Sequence, residues 1–496
     1  MPSHDSLAVI RGGYRRPVAR GHVVPTVVLG VAVALCAPAA AQSGDAGPIA
    51  AGPAPISTTV SATADSEAPP ARDPAPAPAA TDAPSDRGEI LPGLIVSTQL
   101  RLRSESRRNA RFDSARPGND EDYLLSRFRV GLTWEASERV TGLVELQDAR
   151  MLGEEAISDT RTPNIFADRL DIHQAYLDVG LSGPAAVPVS LRIGRQKLVY
   201  GSQRMVSPLE WVNTARVFDG ARIAIEPGPG RKLDAFATRL VPVSPTGLND
   251  HRPTASRMFN SQLHGIYYTD ASLLAGGRVE GYWLLRREAR LDDAVHTVGA
   301  RIDATRGAWA FDGELARQTG RHDGLPHRAA LVHVGGSFTA ELPGRPKLGA
   351  AFNYGSGDDD PTDGIHGTFD QLYPLGHAYY GYLDLFALQN LRNTEVTVEI
   401  ALPGDARLRV GVQDFVLASP GSDAWYNVAG AVVHRAAGER HSAHAGNEID
   451  VTLRVPLGNV GLEVGYGRFF GGAYLQDANF AQRTADFLYV QTMLGF

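Results

Sequence analysis

An all-β protein, a transmembrane antiparallel barrel with long extracellular loops, is the fold class that this sequence of 496 residues predicts. Three observations favour it. Segments of about ten residues alternate between apolar and charged side chains. A secretory signal stands at the N-terminus, and residues 91–496 run to a terminal phenylalanine without a second change in composition. Because no run of 18 or more apolar residues follows Leu91, spanning helices are not expected.

The N-terminus has the three parts of a secretory signal. An apolar run from Val23 to Ala41 follows a stretch with four arginines and ends in three alanines. We therefore expect residues 1–41 to be a signal peptide that is cleaved after Ala41. A retained membrane anchor is the alternative, which Pro25 and Pro38 disfavour. A twin-arginine export signal is disfavoured because the residues after the arginine pair do not continue that motif.

Composition separates residues 42–90 from the rest of the chain. They are dominated by Ala, Pro, Ser, Asp and Gly, so we expect a disordered periplasmic segment, with binding to a wall polymer or a partner as the alternative. The only cysteine, Cys36, lies in the signal, so the mature chain has no thiol for a disulfide, a metal or a nucleophile. A formal net charge of −7 gives no basic excess for a nucleic-acid partner.

Period-two alternation recurs throughout residues 91–496. EVTVEIAL at 395–402 sets valines and isoleucine against two glutamates and a threonine. RFRVGLTW at 127–134, RLRVGVQDFV at 407–416 and DVTLRVPL at 450–457 follow the same pattern. A soluble sandwich would bury the apolar faces against each other, whereas a transmembrane barrel turns them to lipid and the charged faces to a wet lumen. The export signal and the terminal Phe496 favour the barrel.

The strand number follows from length. Because lipid cannot satisfy a free backbone edge, the sheet must close on itself. At roughly 20–23 residues per strand and connection, residues 91–496 give about 16–20 strands, and bacterial barrels favour even numbers. We predict about 18. Aromatic residues near strand ends are expected in the interfacial girdles, with ordinary strand packing as the alternative for each: Trp283, Trp309, Tyr379, Tyr380, Tyr382, Trp425 and Tyr426.

Two segments resemble a known family. LRIGRQKLVYGSQRMVSPLEWVNTARVFDGARIAIE, at 191–226, contains Gly-Arg-Gln, Tyr-Gly, Arg and Phe-Asp-Gly in the order found in the alginate export family of outer-membrane barrels. NYGSGDDDPTDGIHGTFDQLYPLGHAYYGYLDL, at 353–385, resembles that family's long acidic loop. The ending FLYVQTMLGF is similar to its terminal strand. The resemblance covers residues 91–496.

This resemblance implies a monomeric pore of about 18 strands in the bacterial outer membrane, in contact with outer-membrane lipid. It implies an arginine-lined constriction that passes an anionic polysaccharide, such as alginate, by diffusion. It also implies that the barrel-assembly machinery reads the C-terminal strand. Many bacteria with such a barrel could use it as a porin for other solutes.

The passage of an anion requires cationic groups in the pore, because removing water from a carboxylate costs free energy unless the carboxylate is paired. Arginine suits this role, since its planar fork binds carboxylates bidentately and stays charged. Strand alternation and the Gly-Arg-Gln segment give the candidate pore-lining residues Arg127, Arg129, Arg192, Arg195, Arg222, Arg301, Arg407, Arg409, Arg454, Glu145 and Glu399. The alternative is that many of these arginines pair with lumen acids, Glu226 and Asp303 among them, and only keep the wall polar.

Arg195 breaks the alternation of its own segment. In LRIGRQKLVYG, residues 191–201, it has the same parity as Leu191 and Ile193. A single regular strand would therefore need a bulge or a charge facing lipid.

No cofactor or metal site is expected. GDDDPTDG at 357–364 has three contiguous aspartates and a proline, which departs from the alternate acids of an EF-hand, so a solvated turn competes with a calcium site. The histidines lack metal-ligand spacing and are attributed to loop polarity: His251, His264, His322, His327, His366 and His377.

Transport is the leading functional hypothesis: an outer-membrane channel for an anionic polysaccharide or small anionic solutes. A general porin without polymer selectivity is one alternative. The other is an outer-membrane hydrolase that uses a serine or an aspartate–histidine pair on the barrel wall. No nucleophile motif is present in the sequence, so we expect a channel and not an enzyme. The substrate and the direction of transport stay open.

Overall fold

A computed structural model describes residues 88–113, 119–153, 165–183, 186–243, 261–288, 291–436 and 441–495. The predicted signal peptide, most of the Pro/Ala-rich segment and the terminal Phe496 lie outside the described residues.

The described residues form one antiparallel sheet in which each long strand pairs with the next along the chain. A short strand, β1 (Gly88–Leu91), precedes the long ones and pairs with the start of the first of them. The eighteen long strands are β2 (Leu94–Arg108), β3 (Glu121–Ser137), β4 (Val140–Gly153), β5 (Asp168–Gly180), β6 (Val189–Gln196), β7 (Phe218–Gly228), β8 (Arg231–Leu240), β9 (Gln262–Asp270), β10 (Gly277–Glu288), β11 (Asp293–Arg306), β12 (Trp309–His322), β13 (Leu325–Thr339), β14 (Lys347–Gly355), β15 (Leu391–Ala401), β16 (Arg407–Leu417), β19 (His444–Leu457), β20 (Val460–Gly471) and β21 (Thr484–Gly495).

The sheet closes where its last strand meets its first long strand. β2 pairs with β21 in an unbroken register from Gln99 opposite Gly495 to Arg108 opposite Asp486. The backbone N–H and C=O groups along this junction are therefore paired, as is required of a sheet that spans lipid. The predicted closed antiparallel barrel of 18 strands is confirmed.

The two faces of the strands follow the sequence alternation. On β3, Arg127 and Arg129 are 1% and 3% exposed, whereas Phe128 and Leu132 are 44% and 42% exposed. The charged parity therefore faces the lumen, and the apolar parity forms the outer surface.

The two ends of the barrel differ. At one end the strands are joined by short turns such as 229–230, 307–308 and 458–459. At the other end most connections are longer, and the largest are residues 197–217, 241–261, 356–390 and 418–443. Short turns face the periplasm and long loops face the outside in bacterial barrels, so we orient the barrel in this way.

Within the described parts of the long connections, the regular elements are short. These are the hairpin of β17 (Ala424–Tyr426) and β18 (Val432–Arg435), the helix α1 (Ala473–Asp477) and a 3₁₀ turn at Gly376–Ala378, with another 3₁₀ turn, Pro403–Asp405, at the opposite end. In the part of the chain that is described, no helix has the length and apolar character to cross a membrane.

The girdle prediction is wrong for several of the aromatic residues. Tyr380, Tyr382 and Trp425 are 0%, 3% and 0% exposed, because the long connections that carry them fold into the barrel. Trp425 packs there against Phe386, with ring centroids 5.1 Å apart. Trp309, the first residue of β12, is 52% exposed on the outer surface, where a girdle residue is expected.

Candidate functional site

Four arginines on β2 and β3 form a ladder on the lumen face. Arg101 and Arg103 alternate along β2, and Arg101 lies directly opposite Arg127 on β3. Arg129 follows on the same face, and the exposure of all four is 3% or less. We call Arg101, Arg103, Arg127 and Arg129 the arginine ladder.

The ladder holds the connection 197–217, which we call the inner loop. Arg101 donates hydrogen bonds to the carbonyl oxygens of Glu210 and Val212 at 2.8 and 3.0 Å. Arg103 donates to the Trp211 carbonyl at 2.7 Å, and its guanidinium lies 4.1 Å from the centre of the Trp211 ring. The ladder therefore binds backbone oxygens, which positions the inner loop across the lumen.

The Glu210 carboxylate neutralises much of this cationic charge. It lies 2.9 Å from Arg129, 3.1 Å from Arg127 and 2.7 Å from Lys197. Burial disfavours the charged form, but Arg129, Lys197 and Arg127 outweigh it and hold the pKa of Glu210 well below its usual range. Glu210 is therefore ionised at neutral pH and bridges three cations.

A second segment, residues 356–390, also enters the lumen and meets the inner loop; we call it the acidic loop. The amide of Tyr373 donates to the carbonyl of Met205, and the amide of Ser207 donates to the carbonyl of Tyr373, at 2.9 and 2.8 Å. The His377 ring stacks on Trp211 with centroids 3.6 Å apart. The two loops together form a plug in the outer half of the barrel.

The acidic loop reaches the opposite wall through a glycine. Gly381 has a φ of +89°, and a Cβ there would lie 2.6 Å from Oε1 of Glu448 on β19. The amide of Leu383 donates to the same oxygen at 3.0 Å. A side chain at Gly381 would therefore separate the loop from the wall.

Below the plug, a cavity of about 890 Å³ extends towards the short turns. Its lining includes eight cationic and six anionic side chains. The cations are Arg129, Lys197, Arg204, Arg301, Lys347, Arg407, Arg409 and Arg454, and the acids are Glu145, Asp312, Glu395, Glu399, Asp405 and Glu463. The lining thus has two more cations than acids, and further acids behind it, Glu210, Glu280, Asp303 and Glu314, pair with four of these cations.

Most of the predicted arginines in this cavity are paired with acids. Arg301 lies 2.7 Å from Glu280 and 2.6 Å from Asp303. Arg454 lies 2.7 Å from Glu463, and Arg409 pairs with Glu395.

Arg407 and Glu399, both predicted to line the pore, form a looser pair at the short-turn end. Arg407 lies 3.3 Å from Glu399 and is 61% exposed, so it is the most accessible of these cations. Higher in the cavity wall, Glu145 accepts a hydrogen bond from Gln174 at 3.1 Å. These pairs keep the wall polar, as the alternative interpretation of the sequence proposed.

The remaining predicted residues lie elsewhere. Arg127 belongs to the ladder, beneath Glu210. Arg192 and Arg222 are cross-strand neighbours on the lumen face, and Arg192 also bonds Asp178 at 2.8 Å. Glu226 is exposed at the short-turn end of β7.

Arg195 is on the opposite face from Arg192. It has the parity of Ile193, which is 56% exposed, and it donates to the Asp219 carboxylate at 2.9 Å. Gly194 has a φ of +128°, so the strand is irregular at this point. The prediction that Arg195 lines the lumen is therefore corrected. Arg195 lies on the other face, where Asp219 balances its charge.

Replacing Arg195 with leucine should destabilise the barrel by about 1–3 kcal/mol, because Asp219 loses its partner on the apolar face. The double variant R195L/D219L should recover most of this loss, since two apolar residues replace the pair. Unfolding in urea checks both values. A double variant no more stable than the single one would contradict the assignment.

Sequence reasoning missed Arg101, Arg103, Lys197 and Glu210. A signal for the first two existed, because in LRLRSESR at 100–107 arginines alternate with leucines. Glu210 stands in a loop without periodicity, and nothing in its neighbourhood marks it as a ligand of the ladder.

The aspartates at 358–363 have local roles. The Asp358 amide donates to Asp423 at 3.0 Å, and Asp359 accepts from Ser419 at 2.5 Å. Asp360 accepts from Thr362 at 2.6 Å and Asp363 from the Ile365 amide at 2.7 Å, as in a polar turn.

Known structures share this fold. OpdO of Pseudomonas aeruginosa is 14% identical, with a TM-score of 0.54 over 82% of this chain and 98% of that one. OpdK of the same organism, solved with vanillate, is 13% identical, with a TM-score of 0.53 over 81% and 98%. A BenF-like porin from Pseudomonas fluorescens Pf-5 is 12% identical, with a TM-score of 0.55 over 82% and 100%. At these identities the likeness concerns the fold alone.

No curated protein matches the sequence significantly. The family model described as alginate export matches residues 93–489, which is most of the chain and includes seventeen of the long strands and the first half of β21. The chain therefore belongs to the alginate export family.

Proposed function

We propose that this barrel is an outer-membrane channel that passes an anionic polysaccharide, alginate-like, or a related anionic solute by diffusion. Membership of the alginate export family and the porin-like fold support the channel. The arginine and lysine side chains that line the cavity, Arg407 the most exposed of them, support the preference for anions. In this proposal the barrel works as a monomer in outer-membrane lipid, and the barrel-assembly machinery inserts it through its C-terminal strand.

The observation that carries the proposal is the mixed cavity wall. A pore must release what it binds, and arginines paired with acids attract a polyanion without trapping it. Arg407, Arg409 and Arg454 lie along the wall with acids beside each of them. A chain of uronates could exchange from one arginine to the next along this wall.

A general porin for small anions is the second candidate, and the plug favours it. The inner loop and the acidic loop narrow the outer half of the lumen, which restricts a polymer more than a small solute. OpdK, a structural neighbour, was solved with vanillate, a small aromatic carboxylate.

A hydrolase has less support from the wall chemistry. Asp312 and His333 are an aspartate–histidine pair in the cavity, 2.5 Å apart. The other ring nitrogen of His333 lies 2.8 Å from Asn353 Oδ1. Because both nitrogens have partners, His333 has no nitrogen left to serve as a base for a nucleophile.

Single-channel recording in planar bilayers tests the proposal. We expect anion-preferring current that polyuronate fragments block and that neutral dextran of the same length leaves unchanged. Current that both polymers leave unchanged would favour the general porin. A protein that folds and inserts but carries no current would contradict both channel candidates.

A further inference from the structure

One side-chain cluster at the loop end of the barrel has no part in the proposed channel. His322 is the last residue of β12, Asp323 follows it in the turn to β13, and Asp293 is the first residue of β11. Nδ1 of His322 lies 4.0 Å from Oδ1 of Asp293 and 3.9 Å from Oδ2 of Asp323. One ligand atom from each residue thus lies within 4.8 Å of the other two.

The separations of 4.0 and 3.9 Å are too long for direct hydrogen bonds. Two ligand atoms about 2.1 Å from a tetrahedral metal lie about 3.4 Å apart, so side-chain movements of about 0.5 Å would bring these atoms around one ion. Nδ1 of His322 is buried and has no hydrogen-bond partner in the described structure. A buried ring nitrogen that faces two carboxylates across a gap requires an explanation.

The neighbouring histidines are satisfied without an ion. The Gln318 amide is oriented by two bonds to the backbone of Asp370, one donated at 2.7 Å and one accepted at 2.8 Å. Its oxygen therefore accepts from Nε2 of His327 at 3.1 Å. Nδ1 of His327 lies 3.0 Å from Nδ1 of His366 and 3.1 Å from the His366 carbonyl oxygen, so both ring nitrogens of His327 have partners.

His322 is held in place by His366 of the acidic loop. Their rings stack with centroids 4.1 Å apart and an angle of 19° between the planes. The His366 backbone bonds β13 on both sides, donating to the Pro326 carbonyl and accepting from the Arg328 amide at 2.8 and 3.0 Å. The His322 ring is therefore fixed before any ligand binds, which lowers the cost of binding.

From this geometry we infer that Asp293, His322 and Asp323 bind a divalent transition-metal ion such as Zn²⁺. One imidazole and two carboxylates form a three-ligand set that leaves a fourth position for water. Imidazole favours zinc, nickel or copper over calcium, which takes oxygen ligands. The inference does not depend on which solute crosses the channel.

The surrounding charges also favour a cation. Arg286 lies 3.1 Å from Asp293, but it also lies 2.6 Å from Asp370, which balances its charge. The carboxylates of Asp293 and Asp323 thus give the site a net negative charge. The alternative is an ion pair between His322 and the two aspartates, without a bound metal.

Isothermal titration of the purified full-length barrel with ZnCl₂, after treatment with EDTA, tests the inference. We expect a binding step of one Zn²⁺ per chain. H322A should lower the zinc affinity at least about tenfold, because the loss of even an outer-shell partner of a metal site lowers affinity by about 10–100-fold. D323N should also weaken it, and because Asp323 is 42% exposed in a turn, this variant should fold if H322A does not.

Two control variants test whether the loss of zinc binding is specific to this site. D292N removes the neighbouring acid, which pairs with Arg321 at 2.7 Å, and H444A removes a partly exposed histidine that pairs with Asp414. Both should bind zinc as the wild type does. The inference is overturned if the wild type takes up no more zinc than H322A and D323N do, in which case His322 is an ion-pair partner of the aspartates.

Discussion

Glutamine in place of Glu210 is expected to raise the mean conductance and the frequency of open–closed fluctuations. The substitution removes the carboxylate that lies within 3.1 Å of Arg127, Arg129 and Lys197, and leaves three cations together. Breaking a buried ion pair from one side costs about 3–5 kcal/mol, which is enough to release a docked loop. Single-channel recording measures the fluctuations, and urea unfolding measures the stability.

Glu226→Gln is the matched control for this variant. Glu226 is exposed on β7 near the short turns, so its loss removes the same charge without touching the plug. We expect its traces to match those of the wild type. If Glu210→Gln also gave wild-type traces, the inner loop would not be held by the ladder in the way that the contacts indicate.

Reversing two charges in the cavity should reverse the ion preference of the channel. Lys347 and Arg407 flank Glu399, the first by cross-strand register and the second at 3.3 Å. In K347E/R407E, the eight cations and six acids of the lining become six and eight. Because fixed charge in a narrow lumen sets the sign of the local potential, the variant should prefer cations. The reversal potential in a salt gradient measures the change.

The control for charge reversal is R139E/R306E. Arg139 and Arg306 are exposed at short turns and do not line the cavity, yet their replacement changes the net charge of the protein equally. We expect this control to keep the wild-type reversal potential. An equal shift in both double variants would mean that surface charge, and not the cavity wall, sets the preference.

The wall of the barrel could be predicted from the sequence because strand alternation is a local property. In RFRVGLTW, the side chains that the pattern assigns to lipid and to lumen lie on those faces. The strand number followed from chain length, since a spanning strand and its connection have a limited size. Arg195 departs from the assignment of charges to the lumen at a point where Gly194 has a positive φ and Asp219 pairs with the arginine.

The plug could not be predicted because inward folding of a loop depends on distant partners. Trp211 contacts Arg103, which is more than a hundred residues away, and His377. Tyr382 and Trp425 were assigned to a girdle because an aromatic residue beside a strand suits an interface and a buried core equally. The histidines at 322 and 366 are likewise far apart in sequence and meet only in the folded chain.

The contact between the inner loop and the barrel seam sets an order for assembly. Trp211 packs on Tyr489 of β21 with ring centroids 5.0 Å apart, and it binds Arg103 of β2. The loop thus straddles the junction of the first and last long strands, and its docking surface is complete only after the whole polypeptide has been inserted. The lumen of a nascent barrel would therefore stay open until β21 is inserted. The inner loop would then bind across the junction of β2 and β21 and stabilise it against separation.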